Sequence, residues 1–224
     1  MRLASLLFSA LLAWQPQVAQ AKPVEAEASM SPPLEDHARV LRETLRAAGL
    51  VPGPAAALVP EDFAPSTVLN VSFGDKAVEL GNLFRVSEVA DAPTLGFDAE
   101  ENAAEGAKYL AMLIDPDAPT PEDPKYAFWR HWIQGGLEPG VWPPAHQAAV
   151  TSYLAPGPKD DSTPHRYLFL LFREPPGLTL DQGDVGGEEF EQRRSFKPAE
   201  LVQSKGLKLV DANWMLGAGD GWSE

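Results

Sequence analysis

Cysteine is absent from this chain, which removes disulfides, thiolate nucleophiles and cysteine-ligated metals together. Basic charge is scarce. Eighteen Lys and Arg stand against thirty-two Asp and Glu, a formal net charge of −14, and no basic stripe interrupts the excess. A surface of that sign repels phosphate backbones and anionic bilayers, so neither nucleic acid nor a lipid surface is expected as a partner. Any anionic ligand must therefore be held by local donors inside a pocket. Long apolar runs are also missing, with one exception at the start. Met1-Arg2 gives a short positive lead, Leu3 to Trp14 is almost wholly apolar, and Ala19-Gln20-Ala21 supplies a small-x-small site. That pattern reads as a signal peptide cleaved after Ala21, too short for a permanent anchor, and predicts a secreted protein with no transmembrane anchor.

What is plentiful is proline and glycine, 22 and 18 residues, clustered between apolar runs rather than inside them. Many short strands joined by turns follow from that, in a single domain with a sizeable core. Residues 22–30 read as a disordered lead-in. Residues 31–49 read as an amphipathic helix, with Ser31 as cap, Pro32 at the first helical position, Leu34, Ala38, Leu41, Leu45 and Ala48 at helical spacing, and Gly49 as the stop. The main domain spans 50–216, and 217–224 reads as a flexible tail. Alternation in Thr67 to Phe73 places Leu69, Val71 and Phe73 on one face and the sequon Asn70-Val71-Ser72 on the other, where a glycan at Asn70 is tolerated. Tyr109 to Ile114 is a continuous apolar run, as in a strand covered on both sides. Ala127 to Ile133, Ala148 to Leu154, Tyr167 to Phe172 and Leu207 to Trp214 are further expected strands. Glu188 to Lys205 carries a helical signal broken at Ser195 to Pro198.

Four polar fragments sit where an apolar strand meets a loop: Asp115-Pro116-Asp117-Ala118-Pro119, Trp129-Arg130-His131-Trp132, Ala155-Pro156-Gly157-Pro158 and His165-Arg166-Tyr167. Polar groups there line a cleft or face solvent, because a strand interior cannot hold them unpaired. Alone, the first reads more readily as a plain Asx-Pro turn, and a lone strand histidine is more often structural than functional. Tyr167 shares a strand face with His165, and Trp129 shares one with His131. A metal site built from His131, His165, Asp115 and Asp117 has the right ligand types.

Taken together, these fragments resemble the phosphatidylethanolamine-binding protein family. The resemblance also draws on Asp123-Pro124-Lys125-Tyr126, Arg193-Arg194-Ser195-Phe196 and Asp211-Ala212-Asn213-Trp214. Leu50 to Val71 is similar to the fungal carboxypeptidase-inhibitor branch. The resemblance implies a mainly β fold in which a large antiparallel sheet packs on a smaller one, with peripheral N-terminal and C-terminal helices. It also implies an anion pocket at strand ends. Asp115, His131 and Tyr167 would form its core, Trp129, Pro119, Gly157, Pro158 and His165 its walls, and Asp117 would stand among the ligand-binding groups. The expected ligand is a phosphate, a carboxylate or a phospholipid head group, with Asp115 orienting His131 or meeting an ammonium group. The family's pocket works without a metal, and no cofactor is implied. Two alternatives remain. One is a biosynthetic catalyst coupling anhydride or carboxylate units through Asp115, His131 and Tyr167. The other is an inhibitor whose partner is a serine carboxypeptidase. Lys159 replaces the proline usual after Gly157-Pro158, so the rim departs from the family pattern.

Overall fold

The computed structural model describes residues 34–142 and 149–224. The expected signal peptide, the lead-in and the Ser31 cap lie outside them. Helix α1 is Leu34–Ala47. Glu35 and Asp36 in its first turn suit the positive end of the helix dipole, and Ala38, Leu41 and Leu45 form its buried stripe. Gly49 ends it at φ +62°. The Leu50 amide there bonds the Leu45 carbonyl at 2.9 Å and the Gly49 amide the Arg46 carbonyl at 3.0 Å, a Schellman closure.

Nine strands follow: β1 Asn70–Phe73, β2 Lys76–Ala77, β3 Leu83–Arg85, β4 Thr94–Phe97, β5 Tyr109–Asp115, β6 Trp129–Leu137, β7 Gly140–Trp142, β8 His165–Arg173 and β9 Lys208–Ala218, with α2 Pro198–Lys205 before the last. They form a four-stranded sheet, ordered β2-β1-β4-β7, and a five-stranded sheet, ordered β3-β9-β8-β5-β6. Every pairing is antiparallel except β3 with β9, so the expected large antiparallel sheet carries one parallel edge.

The side-chain period of two explains the continuous apolar run in β5. Tyr109, Ala111 and Leu113 pack with Phe73, Phe97, Phe169 and Leu171 in a core that includes the buried residues of the small sheet. Leu110, Met112 and Ile114 face the opposite core, where Leu168, Leu170 and Phe172 meet Leu41 and Leu45 of α1 and Leu201 of α2. A strand buried on both faces needs no polar alternation. Its neighbour β8 is built the same way.

Three expectations shift. Of the segment read as a strand at Ala148 to Leu154, the described residues make only an isolated bridge, Thr151 to Ile133, because they lie along the outer edge of β6 before the prolines of 156 and 158 intervene. The helical signal from Glu188 resolves into a 3₁₀ turn, Phe190–Arg193, and α2, which starts at Pro198. The last strand runs through Ala218 rather than stopping at Trp214. Beyond it the chain is tied down: Arg85 donates to the carbonyls of Gly219 and Trp222, and the Gly221 amide donates to Asp160. Residues 217 and 218, expected in the tail, thus belong to β9.

Candidate functional site

Because β5 runs antiparallel to β6 and β8, its last residue meets their first ones. Asp115 pairs with Trp129 across β5 and β6, and His165 opens β8 beside Gly217 of β9. One end of the large sheet thus gathers the polar fragments that lie fifty residues apart in sequence. They enclose a cavity of about 330 Å³, lined by Asp115, Pro119, Trp129, His131, Gly157, Pro158, His165 and Tyr167 among others.

His131 is 5% exposed. Its Nδ1 lies 2.7 Å from the Leu154 carbonyl, and a carbonyl only accepts, so Nδ1 carries the proton. Nε2 is buried without a hydrogen-bond partner among the described residues. In the neutral ring that nitrogen is an acceptor. Burial pushes the His131 pKa below its usual value, against the opposing charge of Asp115, so neutrality is favoured. Arg193 supports this geometry from behind, donating to the carbonyls of His131 at 3.1 Å and Ser152 at 3.0 Å. It clamps the segment that carries Leu154 against β6.

Tyr167 lies between two imidazoles. It stacks on His165 with 6.1 Å between centroids and an interplanar angle of 15°, and meets His131 edge-on at 5.3 Å. Burial, followed by the charges of Asp115 and Asp117, pushes its phenol well above the ordinary range, which keeps it a donor at any physiological pH. The ring crosses Gly217 so closely that a Cβ there would fall 2.5 Å from Tyr167 Cε2.

Asp115 differs from expectation. Its Oδ1 accepts the Asp117 amide at 2.6 Å and its Oδ2 accepts from His165 Nδ1 at 2.8 Å. The carboxylate orients His165, not His131. Beyond it, His165 Nε2 lies 3.1 Å from Ser162 Oγ, completing a Ser–His–Asp line that the sequence reading missed. Ser162 is buried and is not among the residues lining the cavity, and its hydroxyl donates to the Thr163 carbonyl at 2.9 Å.

Asp117 is not part of the cavity wall. Its carboxylate is 1% exposed and takes Arg166 Nε at 2.9 Å, Arg166 Nη2 at 2.5 Å and the Arg166 amide at 2.8 Å. Arg166 in turn donates to the Ala48 carbonyl at 2.9 Å, tying the end of α1 to the site's base. Adjacent carboxylates in a Pro-containing turn project to different sides. One serves the cavity and the other the scaffold.

Lys159, which the sequence placed at the rim, lines the cavity, together with three residues that the sequence did not disclose there, Tyr126, Phe190 and Arg194, so two cations flank the opening of a strongly acidic protein. The described residues contain no group of three or more His, Asp or Glu arranged to hold a metal, and no described helix is long and apolar enough to cross a membrane.

The family model of phosphatidylethanolamine-binding protein matches residues 61–208. Among solved structures, carboxypeptidase Y inhibitor, determined with its cognate proteinase, superposes with a TM-score of 0.68 at 20% identity, covering 83% of this chain and 98% of that one. Phosphatidylethanolamine-binding protein from Plasmodium vivax gives 0.65 at 21% identity, covering 80% and 97%. Its Plasmodium falciparum counterpart gives 0.61 at 20%, covering 78% and 95%.

Proposed function

The chain belongs to the phosphatidylethanolamine-binding protein family, and from that premise we propose that it is a secreted binding protein holding a small anion in the strand-end cavity. The anion head is a phosphate or a carboxylate, a phospholipid head group being one source. The observation that carries this reading is the buried Nε2 of His131, without a hydrogen-bond partner among the described residues, beside a phenol kept protonated. Tyr167 would donate to one ligand oxygen. His131 would donate to another once Nε2 takes a proton, or would accept from a ligand that brings one. Either bond is charge-assisted and of the stronger kind. Lys159 and Arg194 supply the local positive field that a net charge of −14 denies.

Binding of sulfate and phosphate, followed by amide chemical shifts, tests the reading. His131→Asn is the informative variant, since its amide can still donate to the Leu154 carbonyl while the titrating nitrogen is lost. Together with Tyr167→Phe it should weaken anion binding about tenfold or more. Unchanged affinity in both variants would refute the proposal.

A second reading, inhibition of a serine carboxypeptidase, takes its support from the fold shared with carboxypeptidase Y inhibitor. Titration of such an enzyme with the purified protein decides it. Full activity at a large molar excess removes that reading and leaves the anion site untouched.

A further inference from the structure

The cavity has an aromatic mouth as well as a polar floor. Phe190 is 57% exposed, and of the exposed large apolar side chains among the described residues it alone lines the cavity. Its ring meets Trp129 edge-on at 4.9 Å and 63°, and Trp129 meets Tyr126 at 6.5 Å and 67°. The Arg194 guanidinium lies over all three, 4.7 Å from Tyr126, 5.7 Å from Trp129 and 5.9 Å from Phe190. Its head pairs with Glu191, while its Nε is buried without a partner among the described residues. Phe190 is no loose ornament. The turn that bears it follows Glu188, which accepts the Ser152 amide at 2.6 Å, and ends on Arg193, which clamps β6.

Three rings around a cation ordinarily mark a site for a ligand ammonium. Here Arg194 already takes the cation's place among the rings, and Lys159 stands on the same mouth, so a ligand ammonium finds that position filled. A flat π system is welcomed instead. It stacks on a guanidinium plane and offers its edge or face to Phe190, and both contacts favour aromatic over aliphatic groups.

We propose that the ligand of this site is an aromatic anion: a phosphate or carboxylate head seated at His131 and Tyr167, carrying an aryl group that packs at the mouth against the exposed Phe190 ring beside Arg194. This rests on the anion-binding reading above and adds the class of substituent. The two are separable by one set of titrations on the full chain. Phenyl phosphate should bind about tenfold tighter than methyl phosphate, the size of one stacking and one cation–π contact. Benzoate against acetate repeats the comparison for a carboxylate head, and the preference in either pair supports the proposal. Phe190→Ala should erase the aryl preference while leaving methyl phosphate affinity within about twofold, and because the ring is exposed the variant should fold normally. Arg194→Gln should weaken all four ligands and also flatten the preference. Equal binding of aryl and alkyl members in both pairs overturns the aromatic assignment but leaves anion binding standing. Aryl preference that survives both substitutions overturns the placement at the mouth. Failure of every anion to bind overturns both readings.

Discussion

On the proposed anion-binding reading, His131 should make binding a proton-uptake reaction, and the size of the effect follows from two geometric facts. Nδ1 is committed to the Leu154 carbonyl at 2.7 Å, and Nε2 is buried and unpartnered among the described residues. In the neutral ring Nε2 presents a lone pair, which repels a sulfate oxygen, so sulfate binds only after Nε2 is protonated. Burial lowers the pKa of that step, and the groups facing the ring are Asp115, which opposes the shift, and His165 and Arg193, which add to it. Above the folded pKa each pH unit costs about 1.36 kcal/mol, or about tenfold in Kd. Between pH 6 and 8 sulfate should therefore weaken by up to about a hundredfold, about 2.7 kcal/mol. Calorimetry in buffers of different ionisation enthalpy should show close to one proton taken up per sulfate near neutral pH. Phosphate differs, because hydrogen phosphate can donate its own proton to Nε2, and its uptake should be clearly smaller. The same shift acts on folding. A His whose pKa is lower in the native state adds stability above the unfolded value near 6.5, and that stability is lost as pH falls through the folded value. Bound sulfate should offset the loss. A sulfate Kd that is flat from pH 5 to 8 with no proton uptake, or one whose slope persists in His131→Asn, would refute the argument.

Gly217→Ala places a methyl 2.5 Å from the Tyr167 ring; the ring must move, so anion affinity should fall about tenfold while stability drops by about 1–3 kcal/mol, and an unshifted Tyr167 resonance would count against it. Asp117→Asn removes the charge that Arg166 grips, so urea denaturation should show a loss of about 3 kcal/mol with little change in anion Kd. The reverse pattern would return Asp117 to the ligand. Secreted from a eukaryotic host, the chain should begin near Lys22 and lose mass on deglycosylation at Asn70, which stands exposed at the start of β1. N-terminal sequencing and mass spectrometry check both.

The central strands were legible because their signal is local. Six apolar residues in a row from Tyr109, then Asp-Pro-Asp, place a double-sided strand and a polar strand end without reference to anything distant. The same logic put His131 and Tyr167 near strand ends, and the family resemblance implied the pocket they share. The division of labour between Asp115 and Asp117 was not legible, since the two residues differ in sequence only by which side of a proline they occupy. What separates them is Arg166, fifty residues on, whose guanidinium grips Asp117. Residues 149–154 hydrogen-bond to β6 at Ile133 and His131, yet they form only an isolated bridge rather than a strand, because pairing depends on a partner that local pattern cannot reveal. Phe190, Arg193 and Arg194 reach the site from a segment some sixty residues beyond His131. Only their long-range hydrogen bonds and ring contacts identify them.

The Ser162–His165–Asp115 line also bears on whether this site turns over a substrate. By composition it matches a nucleophilic relay, but a nucleophile must touch its substrate, and Ser162 is buried outside the cavity lining with its proton given to Thr163. What the line accomplishes is mechanical. Asp115 fixes the plane of His165, His165 supports the face of Tyr167, and Gly217 lets that ring settle. Of the two imidazoles that line the cavity, the one whose outer nitrogen has no partner among the described residues, His131, is backed by a neutral carbonyl rather than a carboxylate. A general base gains from a buried carboxylate behind it, which stabilises the imidazolium that forms. His131 lacks that support on Nδ1, and burial disfavours its charge. The counter-charge that best stabilises its protonated form is then the anion itself. On the proposed reading, such a site should take up ligand and proton together and release them together as pH rises.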